Sequence, residues 1–301
     1  MTERAERVRE EVRARYGAAA WEVREEIRAR YGAAGLELRE GSPSRGAASA
    51  CCSGRCGCGD GRWGASCYEE EALGFPPEGA VAASMGCGNP TAVADLRPGE
   101  SVLDLGSGAG LDAILSARWV GPHGRVYGLD MTEEMGSLAE ENAARAGLGN
   151  VEFLKGFIED VPLPGGAVDV IVSNCAVNLS PDKPRVFAEA FRVLRPGGRL
   201  AVTDVVCDDP AARGTDDGLS ARRPLDGASP RRLDGADGPA ARRPWDPDRW
   251  AACLAGTLTR DEYRAGLAGA GFRDVEIVDS HQVAQGFTSA VIRARKPTGP
   301  R

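Results

Sequence analysis

Residues 102–120 read VLDLGSGAGLDAILSARWV, and this stretch decides the fold. An apolar run ends in Gly106-Ser107-Gly108-Ala109-Gly110, after which Leu111, Ile114, Leu115 and Trp119 fall on one helical face. A strand turning through glycines straight into a helix leaves unhindered backbone at its carboxyl end, where open parallel sheets take their ligands. Working outward, RVYGLDM (125–131) is a second strand, followed by the polar helix TEEMGSLAEENAARAG (132–147). VEFLKG (151–156) is a third strand, and AVDVIVSNC (167–175) is apolar enough to be buried on both faces. Ser180 is expected to cap a helix that Pro181 begins, and Pro196-Gly197-Gly198 closes that helix before the strand GRLAVTDVV (198–206). Later, Thr259 and Glu262 form a capping box for a helix reaching Ala270, with VEIVDS and SAVIRARK as last strands. Strand and helix alternating at this spacing predict an α/β, Rossmann-like doubly wound sheet, mostly parallel and covered on both faces.

Around this core, residues 8–20 (VREEVRARYGAAA) recur as residues 23–35 (VREEIRARYGAAG), which predicts a duplicated helical arm over 1–40. Residues 41–77 read as a Cys/Gly-rich loop. Residues 208–248 repeat ARRPLDGA, PRRLDGAD and ARRPWDPD; with so little apolar content they are expected to form a disordered insertion. The core is thereby divided into 78–207 and a C-terminal part, 249–301.

The 37 basic and 44 acidic residues leave a formal charge of -7 without an extended basic stripe, so no nucleic-acid partner is expected. The chain contains no membrane-length apolar run and opens with MTERAERVREEVRAR rather than a signal, from which we expect a cytoplasmic protein without a membrane partner. Two histidines, His123 and His281, stand in no company suited to a catalytic triad or a multi-His metal site. Nine cysteines without a signal peptide point instead to buried, reactive or ligating thiols.

Asp130 ends the second strand 20 residues after Gly110, where a carboxylate can accept hydrogen bonds from both ribose hydroxyls. Leu111 stands where the dinucleotide fingerprint would continue toward its third glycine, so a nucleoside without a pyrophosphate fits better. With Asp104 on the first strand and Ile158-Glu159 after the third, Val102 to Val206 resembles the S-adenosylmethionine-binding domain of class I methyltransferases. That resemblance implies that the glycine-rich loop with Gly106, Gly108 and Gly110 approaches the methionine part of the cofactor and that Asp130 binds the ribose, with Asp104 also counted as cofactor-binding. It implies that Met131, Ile158 and Glu159 line the adenine pocket, and Asn174 is counted among the cofactor-binding residues.

The acceptor must be read elsewhere, because the fold hosts many. Cys175 at the end of the fourth strand would stand beside the transferable methyl group. The phrases GCGNP, YGLDMTEEM, SNCAVNLSPDK and RPGGRLAVTDVV, with the Cys51-Cys52 pair and the late Cys253, resemble arsenite methyltransferases. The resemblance implies that Cys87, Cys175 and Cys253 hold trivalent arsenic as thiolates, with Cys51 or Cys52 as the upstream redox or substrate-handing thiol. The substrates would be arsenite and methylarsenite, and thioredoxin or glutathione would restore the thiols between rounds. A monomer is expected, with Cys207 as structural filler and the roles of Cys56, Cys58 and Cys67 open. The rival readings are a methyltransferase of a small organic acceptor and a non-catalytic thiol-rich protein that sequesters a soft metal ion.

Overall fold

Eight strands share one sheet: β1 (Ser101–Leu105), β2 (Arg125–Asp130), β3 (Val151–Lys155), β4 (Val168–Asn174), β5 (Leu194–Cys207), β6 (Leu258–Thr259), β7 (Arg273–Ala284) and β8 (Phe287–Arg295). The computed structural model describes residues 29, 32, 64–208, 256–284 and 286–299. The strand order is β3-β2-β1-β4-β5-β8-β7, with the short β6 pairing β5 off this path. β1 through β6 pair in parallel, while β8 runs antiparallel to both β5 and β7. Order reverses between β1 and β4, so the crevice opens above their carboxyl ends.

The helices are α1 (Glu70–Leu73), α2 (Glu78–Ala82), α3 (Leu111–Val120), α4 (Glu133–Arg145), α5 (Lys183–Val193) and α6 (Arg260–Gly269). Alternate residues of the central strands feed two cores. Leu103, Leu105 and Ile171 pack with Val186, Phe187, Tyr263 and Leu267 of α5 and α6 on one face. Val102, Val170 and Val172 pack with Ala113, Ala117 and Val120 of α3 on the other. This two-sided burial explains the unbroken apolar run of β4.

Three local expectations are corrected. Leu111, Ile114 and Leu115 share one face of α3, packed against Tyr68, Ala80 and Ala143, but Trp119, expected with them, is 63% exposed. Ala113, Ala117 and Val120 carry the other side of α3 onto the sheet, so the helix is covered on two sides. Asp182, not Ser180, caps α5 by accepting from Arg185 N; the helix begins at Lys183, and the Ser180 hydroxyl instead donates to Glu159 at 2.6 Å and accepts from Asp182 N at 3.1 Å. The loop expected over 41–77 contains, from Gly64 on, a short 3-10 turn and α1, whose neighbourhood packs on α3. The capping box at Thr259 and Glu262 forms as expected, with both reciprocal bonds present.

The sheet crosses the segment expected to be an insertion: Leu258 of β6 pairs with Val206 of β5. Arg260 clamps the same place, reaching Asp208 at 2.5 Å and Asp279 at 2.7 Å. The helical arm over 1–40, the insertion over 208–248, and Cys51, Cys52, Cys56, Cys58 and Cys253 lie outside the described residues, apart from positions 29, 32 and 208. No helix among the described residues is long and apolar enough to cross a membrane.

Candidate active site

The glycine turn after β1 forms the floor of an open cleft. Gly106, Gly108 and Gly110 all have positive φ, at 74°, 50° and 89°. Each has a different reason to be glycine. A Cβ on Gly106 would collide with Ala176, and one on Gly110 would press on Phe153 at 3.0 Å and Ala139 at 3.1 Å. A Cβ on Gly108 would meet nothing within 4 Å, so this glycine leaves the cleft side open for a ligand. Gly106 and Gly108 line the cleft, whereas Gly110 turns the chain into α3 beneath it.

Asp130 organises the turn from the end of β2. Its carboxylate accepts from Gly108 N at 3.0 Å, Thr132 N at 2.9 Å and the Thr132 hydroxyl at 2.8 Å. Burial raises its pKa although these donors oppose the shift. Met131, Ile158 and Glu159 line the opposite wall, and Glu159 accepts from the Ser180 hydroxyl. Asp104 is not among the cleft-lining residues. It lies 1% exposed under the turn, with Oδ2 unpartnered among the described residues. Burial, then the charges of Asp112 and Asp130, hold its carboxyl well above the usual range. An apolar wall, carboxyls and an unobstructed glycine suit an adenosyl group carrying a cationic amino-acid tail.

Cys87 and Cys175 meet at the far end of the cleft, joined as a disulfide with Cα atoms 6.1 Å apart. Cys175 sits at φ 58° directly after β4 and lines the cleft. Both sulfurs and a carboxyl oxygen of buried Asp204 lie within 4.8 Å of one another. Burial pushes Asp204 up to about 7 despite donors from Tyr263, Val205 and Asn178. Cys207 is buried in the same apolar cluster as the pair, and Cys67 packs half-buried near Tyr68.

Asn174 lines the cleft and is also the hub that seats the Cys87 loop. Its Oδ1 accepts from Cys87 N and the Thr203 hydroxyl, both at 3.0 Å. Its Nδ2 faces Gly88 O at 2.8 Å, the Tyr68 hydroxyl at 2.9 Å and Asp112 at 3.2 Å. Gly86 and Gly88 flank the cysteine because the loop lies directly on this hub: a Cβ on Gly86 would fall onto the Asn174 amide, and one on Gly88 would stand 2.7 Å from Thr203. Ser289 of β8 fixes the other side, donating to Cys87 O at 2.7 Å.

Asp112 and Tyr68 escaped the sequence reading. Asp112 follows the glycine turn in the first turn of α3, where an acidic residue is ordinary helix chemistry. Its carboxylate accepts from the Tyr68 hydroxyl at 2.9 Å, and burial pushes it up to about 6. The only signal was the acid directly after GSGAGL; Tyr68 offered none.

A methyltransferase domain family matches residues 96–227. The arsenite methyltransferase of Halobacterium salinarum is 42% identical over 226 residues, 71% of this chain and 51% of that protein. The crystal structure of an arsenic(III) S-adenosylmethionine methyltransferase from Chlamydomonas reinhardtii is similar with a TM-score of 0.55 and 30% identity, covering 76% of this chain and 73% of that one. The nocamycin O-methyltransferase of Saccharothrix syringae is 40% identical over 112 residues, 37% of this chain and 40% of that protein. A likeness confined to that length therefore reaches an organic acceptor as well as an arsenical one. The chain spans about half the length of the Halobacterium relative.

Proposed function

The chain belongs to the arsenite methyltransferase family of class I S-adenosylmethionine-dependent methyltransferases, and from that premise we propose that it methylates arsenite and methylarsenite held by cysteine thiolates. The observation that carries the proposal is the convergence of Cys87 and Cys175, 88 residues apart in sequence, at the end of the cleft that the glycine turn floors. Trivalent arsenic is soft and thiophilic, so a reduced pair of buried thiolates suits it. Cys253 is the proposed third sulfur. It precedes Leu258 by five residues in the sequence.

In this mechanism the cofactor supplies an electrophilic methyl group on its sulfonium. Asp130 would hold the ribose, Met131, Ile158 and Glu159 would surround the adenine, and Gly108 would leave room for the methionine part. Asn174 and Ser289 hold Cys87 by its backbone, so the arsenic is presented from a fixed loop. Arsenic bound to sulfur keeps a lone pair that can attack along one line, and no general base is needed. Alignment of two bound reactants can supply roughly 7–11 kcal/mol of the barrier. Each transfer oxidises arsenic by two electrons, which Cys51 or Cys52 with a partner thiol would return by forming a disulfide, reopened by thioredoxin or glutathione. The proposed role is arsenic detoxification by a cytoplasmic monomer.

The test is chromatographic arsenic speciation after incubating reduced protein with arsenite, S-adenosylmethionine and a thiol reductant, beside Cys175→Ser. Methylated arsenicals are expected from the wild type, with at least a hundredfold less from the variant. A wild type that binds the cofactor yet makes none would overturn the proposal in favour of an organic acceptor, as would a fully active Cys175→Ser. Arsenic binding without cofactor consumption would favour sequestration.

A further inference from the structure

We propose that Asp112 receives the α-ammonium at the methionine end of the cofactor and that its contact with Asn174 relays this binding to the seat of the Cys87 loop. The inference rests on the cofactor reading and not on the identity of the acceptor. Three acidic residues line the cleft: Asp112, Asp130 and Glu159. Asp130, at the end of β2, is the proposed ribose partner, and Glu159 lies in the wall proposed for the adenine. Asp112 stands between the glycine turn and Asn174, toward the thiols, where the amino-acid tail must lie if Asp130 holds the ribose. The donors it meets, Tyr68 and Asn174, are neutral, and behind it stands the carboxyl of Asp104. A buried carboxylate backed by a second one gains most from an arriving cation.

The relay follows from counting hydrogens. The Asn174 Nδ2 carries two, yet three acceptors surround it: Gly88 O at 2.8 Å, the Tyr68 oxygen at 2.9 Å and Asp112 Oδ2 at 3.2 Å. One contact is always short of a hydrogen. An ammonium on Asp112 takes over that carboxylate and releases both hydrogens to Gly88 and Tyr68. Gly88 adjoins Cys87, whose own N–H is already bound to Asn174 Oδ1, so the loop tightens when the cofactor enters.

Two measurements on reduced full-length protein decide this. First, calorimetry compares S-adenosylhomocysteine, which keeps the ammonium, with methylthioadenosine, which lacks the amino acid. Asp112→Asn is expected to weaken the former roughly ten- to a hundredfold and to leave the latter within about twofold. Equal loss for both ligands, or loss for neither, refutes the ammonium site. Second, iodoacetamide labelling of Cys87 is followed by mass spectrometry with and without saturating S-adenosylhomocysteine. Ligand is expected to slow wild-type labelling about fivefold or more. Tyr68→Phe removes one of the three competing acceptors and, at an S-adenosylhomocysteine concentration shown by calorimetry to saturate the variant, is expected to abolish the slowing. Protection that persists in Tyr68→Phe, or absence of protection in the wild type, overturns the relay. Because Asp112→Asn is compared across two ligands and Tyr68→Phe is judged with and without ligand, a general loss of folding cannot imitate either expected pattern.

Discussion

The two ends of the cleft are built in opposite ways. At the cofactor end the glycine turn, Asp112, Asp130 and Met131 come from one run, Val102 to Met131, in which strand, turn, helix and strand follow without interruption, with Ile158 and Glu159 completing the wall. The thiol end gathers Gly86-Cys87-Gly88, Asn174-Cys175, Thr203-Asp204 and Ser289, and the bond from Ser289 to Cys87 O spans 202 residues. At the first end positive φ calls for glycine at fixed spacing, a local rule, although Ala176 and Phe153 from other segments also crowd Gly106 and Gly110. At the second end Gly86 has no positive φ, and glycine is required there because another segment, Asn174, lies on top of it. A contiguous site can be altered one residue at a time with local effects, whereas an assembled site depends on a hub.

Two glycine substitutions test that contrast most severely. Gly86→Ala pushes the Cys87 loop off Asn174, and about a hundredfold loss in methyl transfer to arsenite is expected, with a much smaller loss of S-adenosylhomocysteine affinity. Gly106→Ala instead strains φ 74° and meets Ala176, so it should weaken the cofactor and cost about 1–3 kcal/mol of stability. Calorimetry and denaturant unfolding on both variants would break the comparison if their effects interchanged.

Next in size, Asp130→Ala removes the acceptor of Gly108 N and Thr132 as well as the proposed ribose partner. The expected result is a ten- to hundredfold higher KM for S-adenosylmethionine, with arsenite affinity unchanged. Thr203→Val deletes a single bond to Asn174, worth about 1 kcal/mol, and should lower arsenite affinity roughly fivefold without touching the cofactor constant.

The smallest effect is on stability against pH. Asp112 and Asp204 titrate at about 6 and about 7 in the folded chain, against an ordinary 3.8. Groups with raised folded values contribute stability that is full below the unfolded pKa and is lost as pH rises through the folded one. Between roughly pH 4 and 7 these two carboxyls should therefore make unfolding easier as pH rises. Asp204→Asn is expected to flatten that slope by several degrees of Tm across the window, even with a lower absolute Tm. A slope unchanged in the variant would assign the pH dependence elsewhere.

What could be read from the chain alone follows the same division. The capping box at Thr259 and Glu262 was legible because both bonds are made within four residues. The cap of α5 was not, because the helix begins at Lys183, two residues later than Pro181 suggested, so Asp182 holds the cap position while Ser180 donates to Glu159, 21 residues away. Trp119 fits the helical spacing of Leu111 and Leu115 yet is exposed, since periodicity does not state where the covering segment ends. Asp112 was invisible as part of a site because acids are common in first helical turns; only its contacts with Tyr68 and Asn174 distinguish it.

The sequence by itself determined the parallel sheet, the glycine turn and the carboxylate at Asp130, because strand period, backbone sterics and helix caps act over a few residues. Only the tertiary structure decided that Cys87 meets Cys175, that Asp204 stands beside them, and that Asn174 links the thiol loop to Asp112. Those contacts join segments far apart in sequence, and their partners are selected by burial and by hydrogen bonds that must be satisfied there, which no local pattern encodes.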